Sequence, residues 1–188
     1  MPYGAGAFAL RLPRRLKQAA FPARRGQGRF AVATWRGNHY GDAMRIAIAS
    51  DHAAIEMKAA LREWLIEEGH EVADLGPDSH DSVDYPDFGY KLAAVVAEGT
   101  AERGIALCGS GIGISIAVNR NPAVRCALVS EPLSASLARE HNDANVLALG
   151  ARLIGIELAK ACVSAFVGTE FGGDRHQRRV DKLSNPSC

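Results

Sequence analysis

A thiol followed by three alternating glycines, Cys108-Gly109-Ser110-Gly111-Ile112-Gly113, is the stretch of this chain best suited to chemistry. Alternating glycines let backbone N–H groups converge, and a helix opening just beyond adds a partial positive charge, so such a turn can hold an anion. The same field favours the thiolate form of a thiol placed beside it. A dinucleotide fingerprint is the first competing reading, but Ile114 stands where the third glycine of G-x-G-x-x-G belongs. An inert cysteine at a strand end is the second, and the stretch alone does not exclude it. Asp51-His52 and His141-Asn142 supply imidazoles beside polar side chains, and Arg152, Arg175 and Arg179 offer planar guanidinium forks for a phosphate. Taken singly, His141 and each arginine read first as solvated surface residues, while Asp51-His52 gains from its place straight after the first strand. Tyr85, in Asp84-Tyr85-Pro86-Asp87, reads either as a loop anchor or as a wall of a pocket.

The elements that must position these residues alternate regularly from Met44. Arg45–Ser50 reads as a strand, and Ala53–Glu68 as a helix with Ile55, Leu61 and Leu65 at helical spacing and Gly69 at its end. Glu71–Leu75 is a strand, Gly76–Pro86 a loop and Phe88–Glu98 a helix; Gly104–Cys108 is a strand that enters the glycine turn and a helix through Asn119. Strands at Arg125–Ser130 and Asn145–Leu149 are followed by helices at Pro132–Glu140 and Ile156–Phe166, which leaves His141 and Asn142 on a loop. The charged tail beyond Phe171 reads as a terminal helix. This alternation predicts an α/β fold: a three-layer α/β/α sandwich around a five-stranded, mostly parallel, Rossmann-like sheet with right-handed crossovers. Ligands of such sheets sit beyond the carboxyl ends of the strands, so Asp51-His52, Cys108–Gly113, Ser130-Glu131 and the segment after Leu149 should share one rim.

Composition narrows the function classes. The 188 residues are 47% hydrophobic and 23% charged, enough for one packed core. The first forty-one residues hold eight basic residues and no acid; setting those and Asp42 aside leaves 14 basic against 20 acidic residues. An acidic body carries no footprint for nucleic acid. The cysteines Cys108, Cys126, Cys162 and Cys188 show neither a C-x-x-C pair nor zinc spacing with histidine. No apolar run reaches the roughly 18 residues that a membrane span needs, and the expectation is a cytoplasmic protein with no membrane partner. Residues 1–43, rich in Arg, Ala and Gly without a sustained period, read as a disordered N-terminal extension ahead of one domain over 44–188. A transit peptide is the other reading of that segment.

Taken together, Ser50-Asp-His52, Asp84-Tyr-Pro86, Cys108-Gly-Ser-Gly-Ile-Gly113, Ser130-Glu-Pro132, Arg139-Glu-His-Asn142, Gly150-Ala-Arg152 and Arg175-His-Gln-Arg-Arg179 resemble the signature pieces of the type B ribose-5-phosphate isomerases. That family also includes the galactose-6-phosphate isomerase subunits, and the resemblance runs from Met44 to about Leu183. It implies an aldose-ketose isomerase interconverting ribose 5-phosphate and ribulose 5-phosphate through an enediolate, with no metal or organic cofactor. It also implies a homodimer or dimer of dimers in which Cys108 of one chain meets His141 of its partner. By position, Cys108 would be the proton-transfer base, Ser110 and the amides of Gly109, Gly111, Ile112 and Gly113 the anion hole, and His141 the group that assists ring opening. Asp51 and Asn142 would hold sugar oxygens and Tyr85 would line the pocket, while His52, Arg152, Arg175 and Arg179 would hold the phosphate. One branch of the family lacks the cysteine and uses a glutamate base; with Cys108 and Ile112 this chain resembles the cysteine branch. Galactose 6-phosphate and allose 6-phosphate are the alternative substrates. A non-catalytic phosphate-binding module is the alternative outside enzymes.

Overall fold

The computed structural model describes residues 43–185, so the expected N-terminal extension lies outside the described residues except for Ala43. Five strands, β1 (Arg45–Ser50), β2 (Glu71–Asp74), β3 (Arg103–Cys108), β4 (Cys126–Leu128) and β5 (Val146–Gly150), form one sheet in the order β2-β1-β3-β5-β4. All four pairings are parallel. The helices are α1 (Ile55–Glu67), α2 (Tyr85–Ala97), α3 (Ile112–Val118), α4 (Pro132–Asn142), α5 (Ile156–Val167) and α6 (Asp174–Ser184).

Strand residues alternate between two cores, as a sheet covered on both faces requires. Ile46, Ile48, Ile105, Leu107, Leu147 and Leu149 pack with α1, α4 and α5 around the fully buried Phe166. Ala47, Ala49, Ala106, Ala148 and Cys108 face the opposite way, toward Leu92 and Val96 of α2 and Ile114 and Val118 of α3. Small residues on this second face let α2 and α3 lie close. A Cβ on Gly89 would come within 2.9 Å of the Ala117 methyl, so the glycine permits the tight crossing that seats α3, and with it the glycine turn.

Strand β4 is shorter than the expected Arg125–Ser130, and two helices differ in ways that bear on the site. Helix α2 begins at Tyr85 rather than Phe88, because Pro86 lies in its first turn, where no N–H is needed. Helix α4 runs through Asn142, so His141 and Asn142 occupy its last turn rather than a loop. Asp143 closes it in the left-handed conformation (φ 46°), with its N–H donating to the Arg139 carbonyl at 3.0 Å. Glycine usually fills that role. Here the Asp143 carboxylate compensates by accepting from Arg125 at 2.6 Å and Arg139 at 2.8 Å.

His70 links the start of the sheet to the end of α1, its Nδ1 accepting from the Met44 N–H at 3.2 Å. Burial holds its pKa below the ordinary 6.5, with Glu68 opposing. The folded state therefore favours the neutral ring and the unfolded state takes up the proton more readily. This contribution to stability is complete above pH 6.5 and is lost as pH falls through the lowered folded value. The melting temperature should fall on acidification below about pH 6.5, and more shallowly in His70→Gln. Equal slopes for the two proteins would contradict this assignment.

Candidate active site

The chain leaves β1 to form β2 on one side and later β3 on the other, so the carboxyl ends of β1 and β3 flank a topological switch point. Asp51 and His52 follow β1; Cys108 ends β3. The Asp51 N–H donates to the Leu107 carbonyl at 3.1 Å, which fixes it beside the thiol-bearing strand. The Asp51 carboxylate caps the turn His52–Ala54 by accepting from the Ala53 N–H at 2.9 Å. His52 Nδ1 accepts from the Val83 N–H at 3.2 Å, so in the neutral ring Nε2 carries the proton and can donate.

Cys108 is 5% exposed, and the Gly111 N–H points at its sulfur, with Sγ at 3.0 Å. The turn bends this sharply because Gly111 has φ 76°, a conformation costly for other residues, and because a Cβ there would strike Leu128 at 2.5 Å. The Ile112 N–H reaches Ser110 Oγ at 3.3 Å, so two of the amides assigned to the anion hole already have partners within the turn. Burial pushes the Cys126 thiol up to about 12 and raises Cys162 as well, with Glu131 adding to the latter. Among the described cysteines, Cys108 is the one with a backbone N–H aimed at its sulfur.

Two further residues close on the turn. The Tyr85 ring, at the start of α2, lies so near Gly113 that a Cβ there would come within 2.6 Å of it. The Arg152 side chain, exposed after β5, runs along Gly109, where a Cβ would meet its guanidinium at 3.4 Å. Arg152 is held there because Ala151 and Arg152 donate their N–H groups to the carbonyls of Cys108 and Gly109, at 2.9 and 3.0 Å. The structure thus gathers Asp51, His52, Tyr85, Cys108–Gly113 and Arg152 at one edge. Glu131, expected on this rim, caps α4 by accepting from the N–H groups of Leu133 at 2.7 Å and Ser134 at 2.6 Å.

His141, Asn142, Arg175 and Arg179 form a second group. Helix α4 ends where β5 is about to begin, at the amino edge of the sheet, and Arg125 at the foot of β4 donates to the Asn142 carbonyl at 3.0 Å. Cys108 pairs with Gly150 at the top of β5, four residues beyond Val146, or about 13 Å along the strand. One chain does not bring the two groups together. Arg175 and Arg179 lie one turn apart on the exposed side of α6, and the buried His176 between them stacks on His141 with ring centroids 4.6 Å apart. Sequence reasoning assigned His176 no role. The one available signal was a histidine four residues from Val180, a short inward stripe on an otherwise charged helix. Among the described residues no cluster of His, Cys, Asp and Glu is arranged to hold a metal ion.

The thiol and glycine turn stand at the switch point of a parallel α/β sheet, and comparison with known proteins makes the class an isomerase. A sequence model of the ribose/galactose isomerase family matches residues 46–183, and the chain belongs to that family. It is similar to ribose-5-phosphate isomerase B of Escherichia coli, 44% identical over 140 residues that cover 74% of this chain and 94% of the relative. It is also similar to D-erythrulose-4-phosphate isomerase of Pectobacterium atrosepticum, at 40% identity over 74% of this chain and 93% of the relative. The crystal structure of a ribose 5-phosphate isomerase from Thermotoga maritima superimposes with a TM-score of 0.74 at 49% identity, covering 75% of this chain and 97% of the other.

Proposed function

We propose that this isomerase interconverts ribose 5-phosphate and ribulose 5-phosphate in the cytoplasm, where such charged intermediates are retained. The observation that carries this reading is the thiol beside a glycine turn, with Arg152 laid along it, in a chain 44% identical to a ribose-5-phosphate isomerase over nearly that protein's whole length. Moving a hydrogen between C1 and C2 requires an open sugar chain, a base for the acidic C–H and stabilisation of the enediolate oxygen. Cys108 is the base, and Ser110 with the backbone of Gly109–Gly113 faces the developing oxyanion, an interaction whose loss typically costs about 3–4 kcal/mol. Asp51 and Asn142 hold sugar hydroxyls, Tyr85 walls the pocket, and His141 assists ring opening. His52 and Arg152 meet the phosphate from one side, Arg175 and Arg179 from the other. Binding energy at the phosphate then fixes the reacting carbons against the thiol. No metal or organic cofactor enters this scheme.

The separation of the two residue groups supports a two-fold homodimer in which each site takes Cys108 from one chain and His141 from the other. Ile112, Ile116, Leu128, Leu133 and Leu153 are exposed by 42–66%, with Leu128 against Gly111 of the glycine turn and Leu153 beside Gly150. Apolar surface of this kind is what pairing would cover. Sedimentation should therefore return no stable monomer.

The substrate is tested by ranking kcat/KM over tetrose, pentose and hexose phosphates. Ribose 5-phosphate should lead, although one carbon is worth only about 1–3 kcal/mol of discrimination; a hexose or tetrose phosphate in first place would reassign the substrate. Arg179→Ala should weaken binding of a phosphorylated inhibitor by about 1.5–3 kcal/mol, as for a lost charged hydrogen bond. Calorimetry with the inhibitor and its dephosphorylated analogue checks this, and equal losses for both would argue against a phosphate contact.

A further inference from the structure

We propose that His176 is a positioning residue that holds the His141 imidazole in the orientation needed for sugar ring opening. The inference rests on the reading of His141 as the ring-opening group. His141 lies in the last turn of α4 with its side chain 38% exposed, and its nearest ionic neighbour, Glu140 Oε1, is 3.8 Å away, too far to fix the ring by a hydrogen bond. Left to itself, such a side chain would sample several rotamers. His176 removes that freedom. It is 9% exposed, and its ring lies nearly parallel to His141, at 11° and 4.6 Å between centroids.

His176 is itself anchored from three directions. Its backbone N–H donates to the Gly173 carbonyl at 2.9 Å, and its Nε2 accepts from Arg175 Nε at 3.3 Å. The segment leading into α6 is tied to the end of α4 by the Gly172 N–H, which donates to the Glu140 carbonyl at 2.9 Å. Because Nε2 accepts, the ring is neutral and carries its proton on Nδ1. Removal from water, then His141, Arg175 and Arg179, hold the His176 pKa below the ordinary value, with Glu140 opposing. A neutral ring matters because His141 must carry a proton during ring opening, and a second charged imidazole at stacking distance would oppose it. Arg175 thus has two roles, one at the phosphate and one in holding His176 as an acceptor.

The test uses the different ring chemistry of the two substrates. Ribose 5-phosphate closes through its C4 oxygen, whereas ribulose 5-phosphate cannot close a five-membered ring because the C5 oxygen carries the phosphate. An enzyme that cannot open rings still consumes ribulose 5-phosphate in proportion to enzyme concentration. Its consumption of ribose 5-phosphate levels off at the uncatalysed ring-opening rate. His176→Ala should show this split, with ribose 5-phosphate turnover at high enzyme at least about tenfold below wild type, in line with the cost of misplacing a reacting group. His176→Phe, which keeps a flat ring, should recover most of the loss. His141→Ala is measured beside them. If His141→Ala levels off and His176→Ala does not, the positioning role is overturned. If His176→Phe is as impaired as His176→Ala while both melt like wild type, stacking is not the means and the proposal also fails. Should His141→Ala itself keep the proportionality, the ring-opening reading falls and takes the inference with it.

Discussion

Replacing Cys108 by Ala should abolish isomerisation while leaving sugar-phosphate binding nearly intact. The sulfur at the switch point is the proposed acceptor of the C–H proton, and general-base catalysis contributes about 10² to 10⁴-fold, so kcat should fall by at least about 10²-fold. Binding should survive because the residues proposed to meet the phosphate, His52, Arg152, Arg175 and Arg179, do not depend on the thiol. The fold should survive as well: the strand continues into the turn through the Cys108 carbonyl, which the Ala151 N–H contacts at 2.9 Å whatever the side chain. Loss of the Gly111 N–H contact to Sγ is the one local cost. Steady-state kinetics with calorimetry on the same sample separates the two effects, and a mutant keeping most of its kcat would remove Cys108 from the mechanism.

Mixing inactive Cys108→Ala with inactive His141→Ala, unfolding and refolding them together, should restore activity to roughly a quarter of wild type, as expected for a two-fold dimer with shared sites. Equal amounts make half of the dimers mixed. In a mixed dimer with shared sites, one site carries both lesions and the other carries neither. If each site were built within one chain, every site would keep one lesion and nothing would return. The distance along β5 between the level of Cys108 and the level of Asn142 favours the first outcome. Mass spectrometry of the refolded material confirms that mixed dimers are present, so a null result counts against the shared site.

The alternation of strands and helices was legible because each element is local: the apolar run of β1, the Leu61 and Leu65 spacing of α1, the glycine turn after Cys108. The strand order was not, since nothing local tells β5 to insert between β3 and β4. The rim residues Asp51, His52, Cys108 and Arg152 were legible for a topological reason, each following a strand of a parallel sheet. The same reasoning contains the split of the site. A helix that feeds a parallel strand must end at the amino edge, so His141 and Asn142, just before β5, could not share a rim with Cys108 in one chain. The end of α4 was misjudged because Asp143, rather than the glycine that usually marks a helix end, takes the left-handed conformation that closes it, supported by Arg139 and by Arg125 from the foot of β4. The His141–His176 stack joins α4 to α6 across a separation that carries no periodic signal at all.

The proposed function stands on the movement of a hydrogen between C1 and C2 of a pentose 5-phosphate. Ribose 5-phosphate and ribulose 5-phosphate, each offered separately to the purified, chelator-treated protein and followed by proton NMR, test it directly. Both reactions should converge on the same final mixture, and neither should move on that timescale with Cys108→Ala. A folded wild-type protein that leaves both sugars unchanged would contradict it.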